Sequence, residues 1–137
     1  MKKLNIKVIV LILLMLGGFI LWFYNKNSTK ITFNSEDPRI SSIRINAPGT
    51  YGILTEDKNK INKIIKFLNS VSYYSGSDLE LPSKDPDAMV FITDKEENVI
   101  DKISFYGDVV IYKKKKYKAP LFIYYRLERL CKSLGEK

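Results

Sequence analysis

Apolar residues run without a charge from Val8 to Tyr24, VIVLILLMLGGFILWFY, directly after the lysine-rich start MKKLNIK. At about 1.5 Å per residue these seventeen positions make roughly 25 Å of helix, a little short of the ~30 Å hydrocarbon layer of a bilayer. Leu4 and Ile6 close that gap if Lys7 carries its ammonium out to the headgroups. Trp22 and Tyr24 then fall at the opposite boundary, where amphipathic rings prefer to lie. A cleaved secretory peptide needs a shorter apolar region and a small-x-small cleavage site. Here the first alanine is Ala47, a cut after Gly17-Gly18 would leave the stub FILWFY, and no cysteine follows the run to accept a lipid. The pattern predicts an uncleaved transmembrane signal anchor over 8–24.

The next stretch, NKNSTKITFNSED, is polar and almost without periodicity, and it predicts a tether over 25–39, with Ile31 and Phe33 as an alternative short strand. From Ile40 onward close to 100 residues remain, enough for one compact domain over 40–137. SIRIN alternates Ile43 and Ile45 with Arg44 and Asn46, as a half-buried strand does, and Pro48-Gly49 provides a turn into YGIL. The period then changes: Ile61, Ile64, Ile65, Leu68 and Val71 recur at helical spacing, with Thr55 as N-cap and Glu56 and Asp57 in the first turn. AMVFI, from Ala88 to Ile92, is apolar on both faces, the mark of a central strand. Val99 to Tyr106 alternates, and Gly107-Asp108 allows a tight reversal into VVIY. Pro120 opens a last helix with Ile123, Leu127, Leu130, Cys131 and Leu134 on one stripe and Gly135 at its end. The expected fold is α+β: an antiparallel sheet of about five strands with two helices packed on it, behind one N-terminal transmembrane helix.

Charge sets the orientation. Lys2, Lys3, Lys7 and the terminal amine precede the span, against Lys26 and Lys30 after it, so 1–7 is expected in the cytoplasm and 25–137 outside. The chain carries net +8; three of its 23 basic residues precede the span and all 15 acidic ones follow it, which leaves +5 outside. That balance points toward anionic surfaces, either lipid headgroups or wall polymers.

Its densest expression is YKKKKYK: Tyr112, Lys113, Lys114, Lys115, Lys116, Tyr117 and Lys118. The placement predicts a hairpin turn with KYKA as a short edge strand, where lysine discourages pairing with another chain. The same seven residues form a candidate contact for an anionic polymer or lipid. Tyrosines beside lysines also suit single-stranded nucleic acid, but an envelope location argues against that partner. A second candidate is the connection from Ser72 to Asp87, sixteen residues with four acids and one lysine. Such long connections are functional or disordered more often than short ones. Its Tyr73 and Tyr74 are read either as closing the core edge or as binding residues, and its acids offer the hairpin a counter-charge within the molecule.

Catalytic sets are missing. With no histidine and one cysteine there is no Cys-His or Ser-His-Asp nucleophile and no usual zinc-ligand set, and the carboxylates from Asp85 to Glu97 lack the glycine and terminal glutamate of a calcium loop. No enzyme, cofactor or metal is expected. Cys131, on the apolar stripe, is expected as a small core residue, the alternative being an intermolecular disulfide.

The lysine-rich start, single span, strand pair, NKIIKFLNSV, ISFYGDVVIYKKKKYKA and closing YYRLERLCKSL resemble small extracytoplasmic domains of unassigned function from Gram-positive bacteria, anchored by a span or a lipid. The resemblance covers roughly residues 40 to 134, through apolar spacing, Gly107 and Tyr117. It implies a fold and an envelope location and brings no site residue with it. This chain departs from lipid-anchored members in lacking a cysteine after the apolar run. The expectation is a membrane-anchored domain that works by binding, with an envelope protein as the leading partner and an anionic wall or lipid surface, met by the hairpin, as the alternative.

Overall fold

The computed structural model of the chain describes residues 5–47, 51–75, 79–80, 85–120 and 122–135. Helix α1 spans Ile6–Asn27 and is capped by Asn5, whose side chain accepts from the Lys7 N–H. The segment Ile6–Lys26 is long and apolar enough to cross a membrane.

Strand β1, Ser28–Lys30, follows α1 with no intervening residue. The stretch expected as a polar tether is therefore built into the domain. Ile31 and Phe33 are each 3% exposed and belong to the core. Isolated from the rest of the chain this segment has no period to reveal it. It is held by a residue 36 positions away, because the Asn69 side chain bonds both backbone groups of Phe33.

The remaining elements are β2 (Ser42–Ala47), β3 (Tyr51–Thr55), α2 (Lys58–Ser70), β4 (Ser72–Ser75), β5 (Ala88–Thr93), β6 (Val99–Tyr106), β7 (Val109–Tyr112), β8 (Lys115–Lys118) and α3 (Ile123–Gly135). The strands form one antiparallel sheet in the order β1-β4-β8-β7-β6-β5-β2-β3, eight strands where about five were expected. The fold is α+β, as the patterning predicts. Counting KYKA, which is β8, beside the five strands of the main pattern, the strands not foreseen are β1 and β4, both too short and too polar to show an alternation. KYKA is not an edge: β8 lies between β7 and β4, through the pairs Tyr74 with Lys118 and Ser75 with Tyr117. The N-cap of α2 is Asp57 rather than Thr55; its carboxylate accepts from the Asn59 and Lys60 N–H groups. α3 begins at Ile123, three residues after Pro120.

Cross-strand register sorts the side chains into two faces. One face stacks Ile45, Val90, Ile103 and Tyr112 along one row and Ala88, Phe105, Val110 and Tyr117 along the next. Both helices bury their stripes here, α2 through Ile61, Ile64, Ile65 and Leu68, and α3 through Ile123, Leu127, Cys131 and Leu134. The opposite face, called the open face below, carries neither helix.

Candidate interaction surface

The open face is read directly from the pairing. One row runs Leu54, Arg44, Phe91, Lys102, a second Asn46, Met89, Ser104, Ile111, Lys116, and a third Tyr106, Val109, Lys118, Tyr74, Ser28. Its strand positions include Lys30, Arg44, Lys102, Lys116 and Lys118, and no carboxylate. Lys102 lies over the Phe91 ring at 5.3 Å, covering part of an aromatic that would otherwise meet water. Lys116 Nζ donates to the Leu79 carbonyl at 3.2 Å, so the connection after β4 touches this face.

At the β3 side the face sinks into a groove of about 280 Å³. Leu54, Phe91 and Val99 supply its apolar lining, and Arg44, Glu56 and Glu97 its charged rim. The rim is fixed by the turn between β5 and β6, where Asp94 Oδ1 accepts from the Glu96 and Asn98 N–H groups at 3.0 and 2.8 Å. Partial burial works against ionisation of Asp94, but these bonds, with the Asn98 side chain, outweigh it and lower its pKa. Glu97 takes the left-handed conformation that closes the turn (φ 63°). Leu54 is 59% exposed. Beside the groove, β3 ends the sheet, and its outer backbone groups meet no other strand among the described residues. Tyr51 to Thr55 contain no lysine or proline, the residues that blunt such edges elsewhere.

The hairpin residues do not form one patch. Tyr112 is in the core, packed edge to face on Phe33 with ring centroids 5.3 Å apart, and Tyr117 packs against the buried Tyr73 at 6.3 Å. Lys116 and Lys118 point to the open face, and Lys113 and Lys114 form the two-residue turn between Tyr112 and Lys115. Lys115 is exposed at the β8 end of that turn. Both turn lysines are left-handed, at φ 48° and 64°, a conformation that asparagine and glycine adopt more cheaply. Burial raises the Tyr112 phenol pKa, while the Lys113 ammonium gains from its bond to that phenol and is raised too. Both flanking rings face inward, with Lys113 Nζ 5.2 Å from the centroid of the Tyr112 ring. Tyr73 and Tyr74 likewise point to opposite faces: Tyr73 is fully buried, and Tyr74 stands on the open face with its ring 6.3 Å from that of Tyr24 in α1. Residues 76–78 and 81–84 of the acidic connection lie outside the described residues.

Sequence reasoning passed over the groove because Arg44 and Asn46 read as an ordinary solvent face. The signal available was Leu54, apolar beside Ile53 on a strand with one covered face. Among the described residues no group of three or more His, Cys, Asp or Glu is placed to hold a metal ion. Comparison of the chain with protein-family models, curated proteins and solved structures finds no match.

Proposed function

We propose that this is a single-span membrane protein whose α+β domain, displayed outside the cytoplasm, binds an envelope protein by accepting an extended segment along β3. The observation that carries the reading is the uncharged β3 edge beside a groove with an apolar lining. Strand addition takes its affinity from main-chain hydrogen bonds, and the groove at Leu54 and Phe91 supplies a pocket for every second side chain of the incoming segment. Arg44 and Glu56 on the rim add polar selectivity without asking for a polyanion. The proposed role is binding alone, with no reaction.

A second reading, contact with an anionic wall or lipid surface through Lys113 and Lys114, is favoured by their strained, exposed position at the hairpin tip. The two readings respond differently to salt, since exposed charge pairing is screened within about 10 Å at 0.1 M and an apolar, hydrogen-bonded interface is not. The test is affinity purification of the full chain from solubilised membranes at rising ionic strength. The proposal expects a protein partner that persists in salt, is lost with Leu54→Lys, and survives when Lys113 to Lys116 become glutamine. Loss with the glutamine variant and retention with Leu54→Lys would reverse the assignment.

A further inference from the structure

We infer that the open face of the sheet is turned toward the bilayer and rests against the lipid headgroups of the leaflet from which α1 emerges. This rests on the reading of α1 as a membrane span, and three observations carry it further.

First, α1 leaves the domain on the open-face side. Tyr24 meets Tyr74 edge to face, and the corner between Leu21, Tyr24 and Asn25 of α1 and Ser72 and Tyr74 of the sheet encloses a cleft of about 410 Å³. Tyr74 belongs to the open face, since its neighbour Tyr73 is buried under the helices. Second, no linker separates span from sheet: Asn27 ends α1 and Ser28 begins β1, which pairs with β4. With seven strand spacings of about 4.8 Å, the sheet reaches roughly 34 Å from that attachment, and a joint without slack holds its orientation. Third, the strand positions of this face carry five cations and no carboxylate, its acidic Glu56 and Glu97 standing apart at the groove rim beside β3, and lysine or arginine held near an anionic leaflet is attracted to it. Tyr74, Tyr106 and Phe91 add ring edges suited to the headgroup zone. The helical layer, with Tyr125 60% exposed on α3, then faces away from the membrane.

The groove beside β3 consequently opens toward the bilayer, so the segment it takes comes from another membrane-inserted chain, next to that chain's own span.

The chain has a single tryptophan, Trp22, which makes the test direct. The full-length protein is reconstituted in vesicles of phosphatidylcholine and phosphatidylglycerol that carry a headgroup quencher. In a Trp22→Phe background, Phe91→Trp reports the open face and Tyr125→Trp the helical layer, with Leu54→Trp as a second open-face reporter at an exposed position should Phe91→Trp fail to fold. The expected result is loss of open-face emission to the lipid quencher with protection from aqueous iodide, and the opposite for position 125. Quenching at 125 with none on the open face overturns the inference, as does equal iodide access at both. Native Trp22 separates the two failures: if it is quenched by lipid while the open face is not, the span stands and the orientation falls. If Trp22 itself escapes the lipid quencher, the span reading falls and takes the orientation with it.

Discussion

Asn69 holds the backbone of Phe33 from both sides: its Oδ1 accepts the Phe33 N–H at 2.7 Å and its Nδ2 donates to the Phe33 carbonyl at 2.9 Å. This pair ties the segment after β1 to the end of α2, and with it the exit of α1 to the body of the domain. Asn69→Ala leaves two backbone groups beside a buried ring without partners, at a cost of about 2 kcal/mol. Chemical unfolding of the solubilised full chain should show that loss, and protease should begin to cut between residues 28 and 39. An Asn69→Ala chain with unchanged midpoint and unchanged cleavage would contradict the clamp.

The hydroxyl of Tyr73 is buried and has no hydrogen-bond partner among the described residues, and burial raises its pKa above the ordinary 10.0. Tyr73→Phe removes an unsatisfied group while keeping the ring on Tyr117, so the variant should be more stable by about 1 kcal/mol at neutral pH. The sign of the pH effect follows from the raised value. The folded chain holds the phenolic proton more tightly than the unfolded one, so this contribution is intact below pH 10 and is lost as the pH climbs beyond it. Wild type should therefore lose stability on the alkaline side more steeply than Tyr73→Phe, as thermal melts across that range will read. Parallel melts would point to a partner for the hydroxyl.

Lys113 and Lys114 occupy left-handed positions in a two-residue turn. Replacing them with Asn-Gly relieves that strain, and a gain of about 1 kcal/mol is expected. A stabilised variant that still binds the protein partner proposed for β3 fits that reading, and a variant that no longer binds it contradicts the reading.

Cys131 is buried at 5% exposure, and burial pushes its thiol up to about 11. Thiolate is the reactive form, so alkylation of the folded chain at pH 8 should be slow and nonreducing gels should show a monomer. Rapid labelling, or a disulfide-linked dimer from freshly prepared membranes, would contradict this packing.

These relationships mark where sequence reading succeeded and where it stopped. The stripe Ile61, Ile64, Ile65, Leu68 is visible because helix period is local, and all four side chains are buried as it predicts. The alternation in SIRIN and in Asp101 to Tyr106 was legible for the same reason, whereas the register shift at Ile92 and Thr93 turns Val99 out of that pattern and into the groove. β1 was not, because three polar residues become a strand only through pairing with Ser72 to Tyr74, more than 40 positions away. The same dependence hid β4 inside an apparent loop and made β8 look like an edge. For the candidate surface, sequence located every hairpin lysine but not the division of YKKKKYK between two faces and a turn, which is set by register with β7 and β4. The groove was hidden because it joins residues from β2, β3, β5, the turn after β5 and the start of β6, none of them unusual alone.

The most direct test of the β3 reading is photocrosslinking in intact cells, with a photoreactive side chain in place of Leu54 and, in a second strain, in place of Lys113. Strand addition predicts an adduct from position 54 whose attached peptide maps to an extended segment flanking another protein's membrane span. An adduct from position 113 with none from position 54 would contradict it.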